Sequence, residues 1–237
     1  MARQPRLAMA GELHLVRLRG HNDQPVFADD ADRAGFVGLL RDAVQRGGDI
    51  AVHAYALLSN EVHLLVTPGQ AEALGRLVQS IGRRYVAAYN RRHVRRGTLW
   101  DGRFRSCVVD ADTLLLAATV FVETLPVTAG LATAAADWPW SSAAHHVGRR
   151  RDPLVTDHQR YWQLGNTPFD RERAHTVAID DAQQRTADPG FVDAIQRAVV
   201  LGPPVFRARV AEALDRRVHP RPRGRPRRTS SGKSVPI

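Results

Sequence analysis

Ile50-Ala-Val-His-Ala-Tyr-Ala-Leu-Leu-Ser-Asn-Glu-Val-His-Leu-Leu-Val-Thr-Pro68 decides the fold, because it reads as two strands closed on each other by a tight turn at Ser59-Asn60. Side chains alternate faces along a strand, so Glu61 and His63 point the same way while Val62 enters the opposite layer. Two metal-binding groups on one strand face can hold one divalent ion. The plainer alternatives are a hydrogen-bonded, half-buried histidine at 63 and an ordinary strand carboxylate at 61.

Working outward, Glu12 to Leu18 alternates as a first strand and Gly20 to Pro25 turns the chain. Asp29-Asp30 can cap a helix whose apolar positions Phe36, Val37, Leu39, Leu40 and Val44 recur at helical spacing, with Gly47-Gly48 as its stop. A second helix runs from Gln70 to about Arg92 with Leu74, Leu77, Val78, Ile81 and Val86 on its buried stripe. Phe104 to Val109 gives a fourth strand. Asp110 or Asp112 caps a helix from Thr113 to Leu125 that Pro126 ends. The order βαββαβα predicts an α+β, ferredoxin-like sheet with helices against one face.

Residues 1–130 form that domain, and 131–217 read as a helical extension. Trp138-Pro-Trp-Ser-Ser142 and Tyr161-Trp-Gln-Leu164 begin short packed helices; Phe191–Val200 and Val205–Arg217 are two more. The last stretch, 218–237, is rich in Pro, Arg, Gly and Ser and is given no fixed structure.

The chain carries 34 basic residues against 24 acidic ones, a net charge of +10, within 237 residues. From Arg216 onward there are seven arginines and Lys233 with no acid, so the rest of the chain is nearly balanced. A second concentration spans Arg76 to Arg105, with Asp101 its sole acid. The pairs Arg83-Arg84, Arg91-Arg92 and Arg95-Arg96 continue into Arg103 and Arg105 with Trp100 and Phe104 interleaved. That pattern suits a groove following a nucleic-acid backbone, with stacking surfaces, better than a merely solvated helix face. In the tail, Arg223-Gly224-Arg225 between prolines resembles an AT-hook, an extended segment suited to a narrow A/T-rich minor groove. The single cysteine, Cys107, excludes an internal disulfide. No run approaches the roughly eighteen apolar residues of a membrane span, and the first residues carry no secretory-type segment. A cytoplasmic protein without a membrane partner is expected.

Several further segments, in one order, carry a resemblance. They are Met1-Ala-Arg3, Arg19–Phe27, His53–Asn60, Tyr89-Asn-Arg-Arg92, Gly97–Ser106, Phe121–Gly130 and Trp138–Ser142. Together they resemble the REP-associated tyrosine transposases, relatives of the insertion-sequence-200 group with its HUH strand. The resemblance implies a Mg or Mn ion held by two histidines and a polar group from the last helix. It also implies a tyrosine on that helix that attacks phosphorus and forms a 5′-phosphotyrosine link. Where the HUH strand normally reads Asn-His-Val-His-Leu-Leu, this chain has Glu61 at the first histidine and retains His63. Phe121 stands at the tyrosine position and Leu125 at the third ligand.

A phenyl ring has no oxygen to attack phosphorus, so the resemblance implies a protein that binds hairpin or single-stranded DNA without tyrosine-mediated cleavage. Two other functions stand beside it. Tyr85 and Tyr89, at i and i+4, can serve an active metal-dependent strand transferase if either reaches Glu61 and His63. A ferredoxin-like sheet can also stack single-stranded RNA in a regulatory module. Both a monomer and a homodimer fit the resemblance.

Overall fold

The computed structural model describes residues 7–47, 49–184 and 189–215. The first part of the chain runs β1 (Leu13–Arg19), α1 (Asp30–Gly47), β2 (Ile50–Leu57), β3 (Glu61–Pro68), α2 (Ala73–Arg92), β4 (Arg105–Val109) and α3 (Ala111–Thr128). α4 (Ala143–His146), α5 (Pro168–Gln183), α6 (Pro189–Arg197), β5 (Val200–Leu201) and α7 (Pro204–Ala213) follow. The five strands form one mixed sheet ordered β2-β3-β1-β4-β5, antiparallel except at the β4–β5 edge.

α1 starts where the sequence places its cap. Asp29 Oδ1 accepts the Asp32 N–H at 3.0 Å, and Asp32 Oδ2 accepts the Ala28 N–H at 2.8 Å. The first bond satisfies a donor that the opening helical turn leaves open, and the second ties the approaching chain to the helix.

The helices do not share one face, which corrects the expectation from the sequence. Val16, Leu18, Val62, Leu64 and Val66 pack against Phe36 and Leu40 of α1 and Leu74, Ile81 and Tyr85 of α2. On the other face Leu13, Leu15, Ala54, Ala56, Leu65 and Cys107 meet α3 through Leu115, Ala118, Phe121 and Val122, and α6 through Phe191 and Ile195. Strands that are apolar on both sides need cover on both sides. Leu64-Leu65-Val66 is such a run, and all three residues are buried.

α3 also outlasts its expected stop, continuing through Pro126 to Thr128. A proline in the last turn forfeits one backbone bond, and the end is closed instead by the Ala129 N–H on the Leu125 carbonyl at 2.9 Å. Among the described residues α3 is the helix long and apolar enough to cross a membrane. Here its apolar residues are spent inside the fold, and it carries the fully buried Glu123.

The C-terminal half is joined to the same sheet. The helix expected to reach Val200 stops at Arg197, and β5 pairs Val200 and Leu201 with Val108 and Val109 in parallel. Trp138 to Ser142 lies along β2 before α4 begins: the Leu57 N–H donates to the Trp140 carbonyl at 2.9 Å, and Trp138 Nε1 donates to the Leu57 carbonyl at 3.0 Å. α5 is a helix that apolar periodicity does not reveal. Its start is marked by Thr167 and Asp170, whose side chains and backbone N–H groups bond reciprocally.

Candidate functional site

β1, β3 and β4 bring a row of polar side chains to the α3 face of the sheet. Register sets Arg17 opposite His63 on one side and opposite Arg105 on the other, with Arg19 opposite Glu61. Arg17 grips the Glu61 carboxylate with two nitrogens: Nε donates to Oε2 at 2.8 Å and Nη2 to Oε1. His63 Nε2 lies 2.8 Å from the same Oε2, and Arg19 Nε is 3.8 Å from Oε1.

Burial alone pushes the Glu61 carboxyl up, but the bonds and charges of His63 and Arg17 outweigh it and hold the group down at about 2. Burial pushes His63 down, only partly countered by Glu61. The arrangement is an ionised carboxylate bonded by the Arg17 guanidinium and by His63 Nε2, while His63 Nδ1 is buried without a partner.

Because the folded pKa of Glu61 lies below the ordinary 4.5, its contribution is whole above about pH 5 and fades as pH falls toward 2. We expect wild-type urea midpoints to drop by an amount equivalent to about 2–3 kcal/mol between pH 5 and pH 2.5 from this group. In Glu61→Gln that increment should be missing. Parallel pH curves for the two proteins would refute it.

Phe121 of α3 faces this pair. Its ring centroid is 6.5 Å from that of His63, and it stacks on Phe191 of α6 at 5.0 Å. Leu125 adds apolar contact on the same side. A divalent ion at Glu61 and His63 has to displace the Arg17 fork and gains no donor atom from Phe121 or Leu125. The residues present do not fit a Mg or Mn ion.

Tyr85 and Tyr89 are not brought to this site. They lie in α2 within the core on the other face, so the sheet stands between them and the Glu61–His63 pair. The Tyr85 hydroxyl donates to the Val26 carbonyl at 2.6 Å, and burial pushes its pKa upward. Tyr89 packs on His93 with ring centroids 4.3 Å apart. The chain's other two phenols are also engaged: Tyr55 donates to Asp152 at 2.6 Å and Tyr161 to the His146 carbonyl at 3.3 Å.

The arginines singled out in the sequence divide by surroundings. Arg103 and Arg105 join Arg17, Arg19 and Arg197 around a cavity of about 420 Å³ whose acids are Asp101 and Asp193. There Arg105 donates to the Gln196 carbonyl at 2.6 Å and Arg197 pairs with Asp193 at 2.7 Å. Arg19 and Arg103 also border a cleft of about 810 Å³ that adds Arg83, Arg76, Trp100 and Phe104.

Arg84 pairs with Asp42 at 3.2 Å. Arg92 is forked onto Asp29 and Asp32, tying α2 to α1, and so is committed to the fold rather than free for a ligand. Arg91, beside it, borders a separate depression on α1 and α2. Arg223, Gly224 and Arg225 lie outside the described residues. Arg17, Arg19 and Arg197 were missed from the sequence. Only strand register reveals the first two, and only the folding of α6 onto β4 the third.

No protein-family model matches the chain, and no curated protein matches it. Among solved structures it is similar to a REP-associated tyrosine transposase bound to a REP hairpin. The identity is 16% and the TM-score 0.54, over 67% of this chain and 96% of that one. It also aligns with a candidate transposase from Deinococcus radiodurans R1 at 19% identity and a TM-score of 0.36, over 55% of this chain and 98% of that one. The first likeness is one of fold.

Proposed function

We propose that this chain binds hairpin or single-stranded DNA through the arginine-lined face over β1 and β4, and does so without metal-dependent, tyrosine-mediated cleavage. The observation that carries the reading is the cavity rimmed by Arg103 and Arg105, with Arg17, Arg19 and Arg197 beside them paired to Glu61, Asp23 and Asp193. Guanidinium groups fork onto phosphate oxygens, and a lining with more guanidinium than carboxylate attracts a polyanion. The adjoining cleft, with Arg83 on its rim and Trp100 and Phe104 in its lining, offers a surface for an unstacked base. The fold shared with a transposase that holds a REP hairpin favours DNA over RNA as the polyanion. The absence of cleavage rests on the chemistry of the site: an arginine bonded to the carboxylate, a phenyl ring opposite the histidine, Tyr85 and Tyr89 across the sheet, and Tyr55 and Tyr161 bonded to other partners.

The test is fluorescence anisotropy with a labelled DNA hairpin bearing a single-stranded flank, at several salt concentrations. Arg103→Ala/Arg105→Ala should weaken binding by about 10–100-fold and lower the salt slope by roughly one unit per arginine. Undiminished binding by the double variant would move the interface elsewhere, and tighter binding of an RNA hairpin would favour the regulatory-module reading. Incubation with Mn²⁺ should give no denaturation-resistant protein–DNA adduct.

A further inference from the structure

Glu123 sits two residues beyond Phe121 in the middle of α3 and is wholly buried. Its Oε1 is 2.6 Å from His146 Nδ1 and accepts the Ser142 hydroxyl at 2.5 Å, while its Oε2 is 2.6 Å from His175 Nε2. His146 comes from α4 and His175 from α5, so three helices converge on one carboxylate. The imidazoles stack with centroids 4.8 Å apart, and the Tyr161 ring closes one side at 5.1 and 5.8 Å.

Burial pushes the Glu123 carboxyl up, yet the charges and bonds of His146 and His175 bring it below the usual carboxylate range. No arginine or lysine bonds to it among the described residues. An ionised carboxylate in a dry interior needs a positive partner, and here that partner is either a proton on an imidazole or a cation among the three groups.

We propose that Glu123, His146 and His175 form a buried Zn²⁺ site that locks α3 to α4 and α5. Their donor atoms all lie within 4.8 Å of one another, and two imidazoles with one carboxylate are a borderline-soft set matched to zinc. Bonds of about 2.0–2.2 Å to the ion require the 2.6 Å contacts to open by under an ångström or so. The Ser142 oxygen or a water supplies the fourth position. A cavity of about 690 Å³, bordered by His146, Tyr161 and Asp157, gives a route in.

Coordination needs a lone pair on His146 Nδ1 and on His175 Nε2, so each ring hydrogen moves to the other nitrogen and any second proton leaves to solvent. The neighbouring set of His145, His146 and Asp157 is a poorer site. His145 Nδ1 accepts the Asp152 N–H at 3.0 Å, which fixes the hydrogen on Nε2, the nitrogen facing Asp157.

The test is metal content of untagged protein by mass spectrometry, with Co²⁺ substitution followed by visible absorption. We expect one zinc per chain, an intense tetrahedral Co²⁺ band, and a melting temperature that falls by about 10 °C on chelation. His175→Gln and His146→Gln should lose the ion, and Glu61→Gln/His63→Gln should keep it. Should the histidine variants fail to fold, the wild-type Co²⁺ spectrum decides alone. Metal-free wild type with no Co²⁺ band and no response to zinc overturns the proposal, as does an ion that disappears with the Glu61/His63 variant instead. DNA binding is measured separately, so failure here leaves the proposed function standing.

Discussion

Glu123→Leu will destabilise the protein by about 3–5 kcal/mol, the largest single effect we expect outside the apolar core. In the metal-free protein the leucine leaves two imidazole N–H groups and the Ser142 hydroxyl buried without an acceptor, and in the zinc form it removes a ligand. Each orphaned donor forfeits its hydration on folding with no return. Glu123→Gln keeps the shape but turns one oxygen into a donor facing another donor, so a loss of about 2 kcal/mol is expected. For a chain of this length the leucine variant should melt roughly 10 °C lower. Denaturant unfolding measures both, and a change below about 1 kcal/mol for Glu123→Leu would mean the cluster contributes little to the fold.

Arg17→Ala is expected to cost about 2–3 kcal/mol and to create a property the parent lacks. Removing the fork leaves Glu61 and His63 sharing one face of β3 with only Arg19, 3.8 Å from Oε1, as a nearby cation. The Glu61 carboxyl should then titrate at higher pH, and the pair should become available to a divalent ion. Millimolar Mn²⁺ should raise the melting temperature of Arg17→Ala and leave that of the parent unchanged. The stabilisation is the mass-action term, about 2.7 kcal/mol at a hundred times the dissociation constant. Equal Mn²⁺ responses in the two proteins would show that Arg17 does not hold the cation's place. Phe121→Tyr alone should still form no DNA adduct, because it adds a nucleophile without freeing the carboxylate.

What the sequence revealed depended on how local the cause was. The β2–β3 hairpin was legible from alternation and its short turn, and α1 from Asp29 with its apolar stripe. The side on which α3 packs was not, since an apolar segment does not state which sheet face it covers. α5 is hidden because few of its residues are buried; its Thr167–Asp170 cap is a local sign of it. At the candidate site, Glu61, His63 and Phe121 were found by position along the chain. Their actual partner, Arg17, is 44 residues from Glu61 and becomes a neighbour only through strand register. Sheet topology likewise decides against Tyr85 and Tyr89, which lie across the sheet from His63.

The strip from Trp138 to Ser142 that runs beside β2 bears on how copies of this protein can assemble. Exposed strand borders invite a second chain to add on and grow a continuous sheet. Here the backbone groups of Tyr55 and Leu57 are occupied by that strip, and the Val52 carbonyl accepts from Thr156 at 2.8 Å. The opposite border is β5, only two residues long. Self-association by edge-to-edge sheet extension is thereby discouraged, and a homodimer, if formed, has to use helical or loop surfaces.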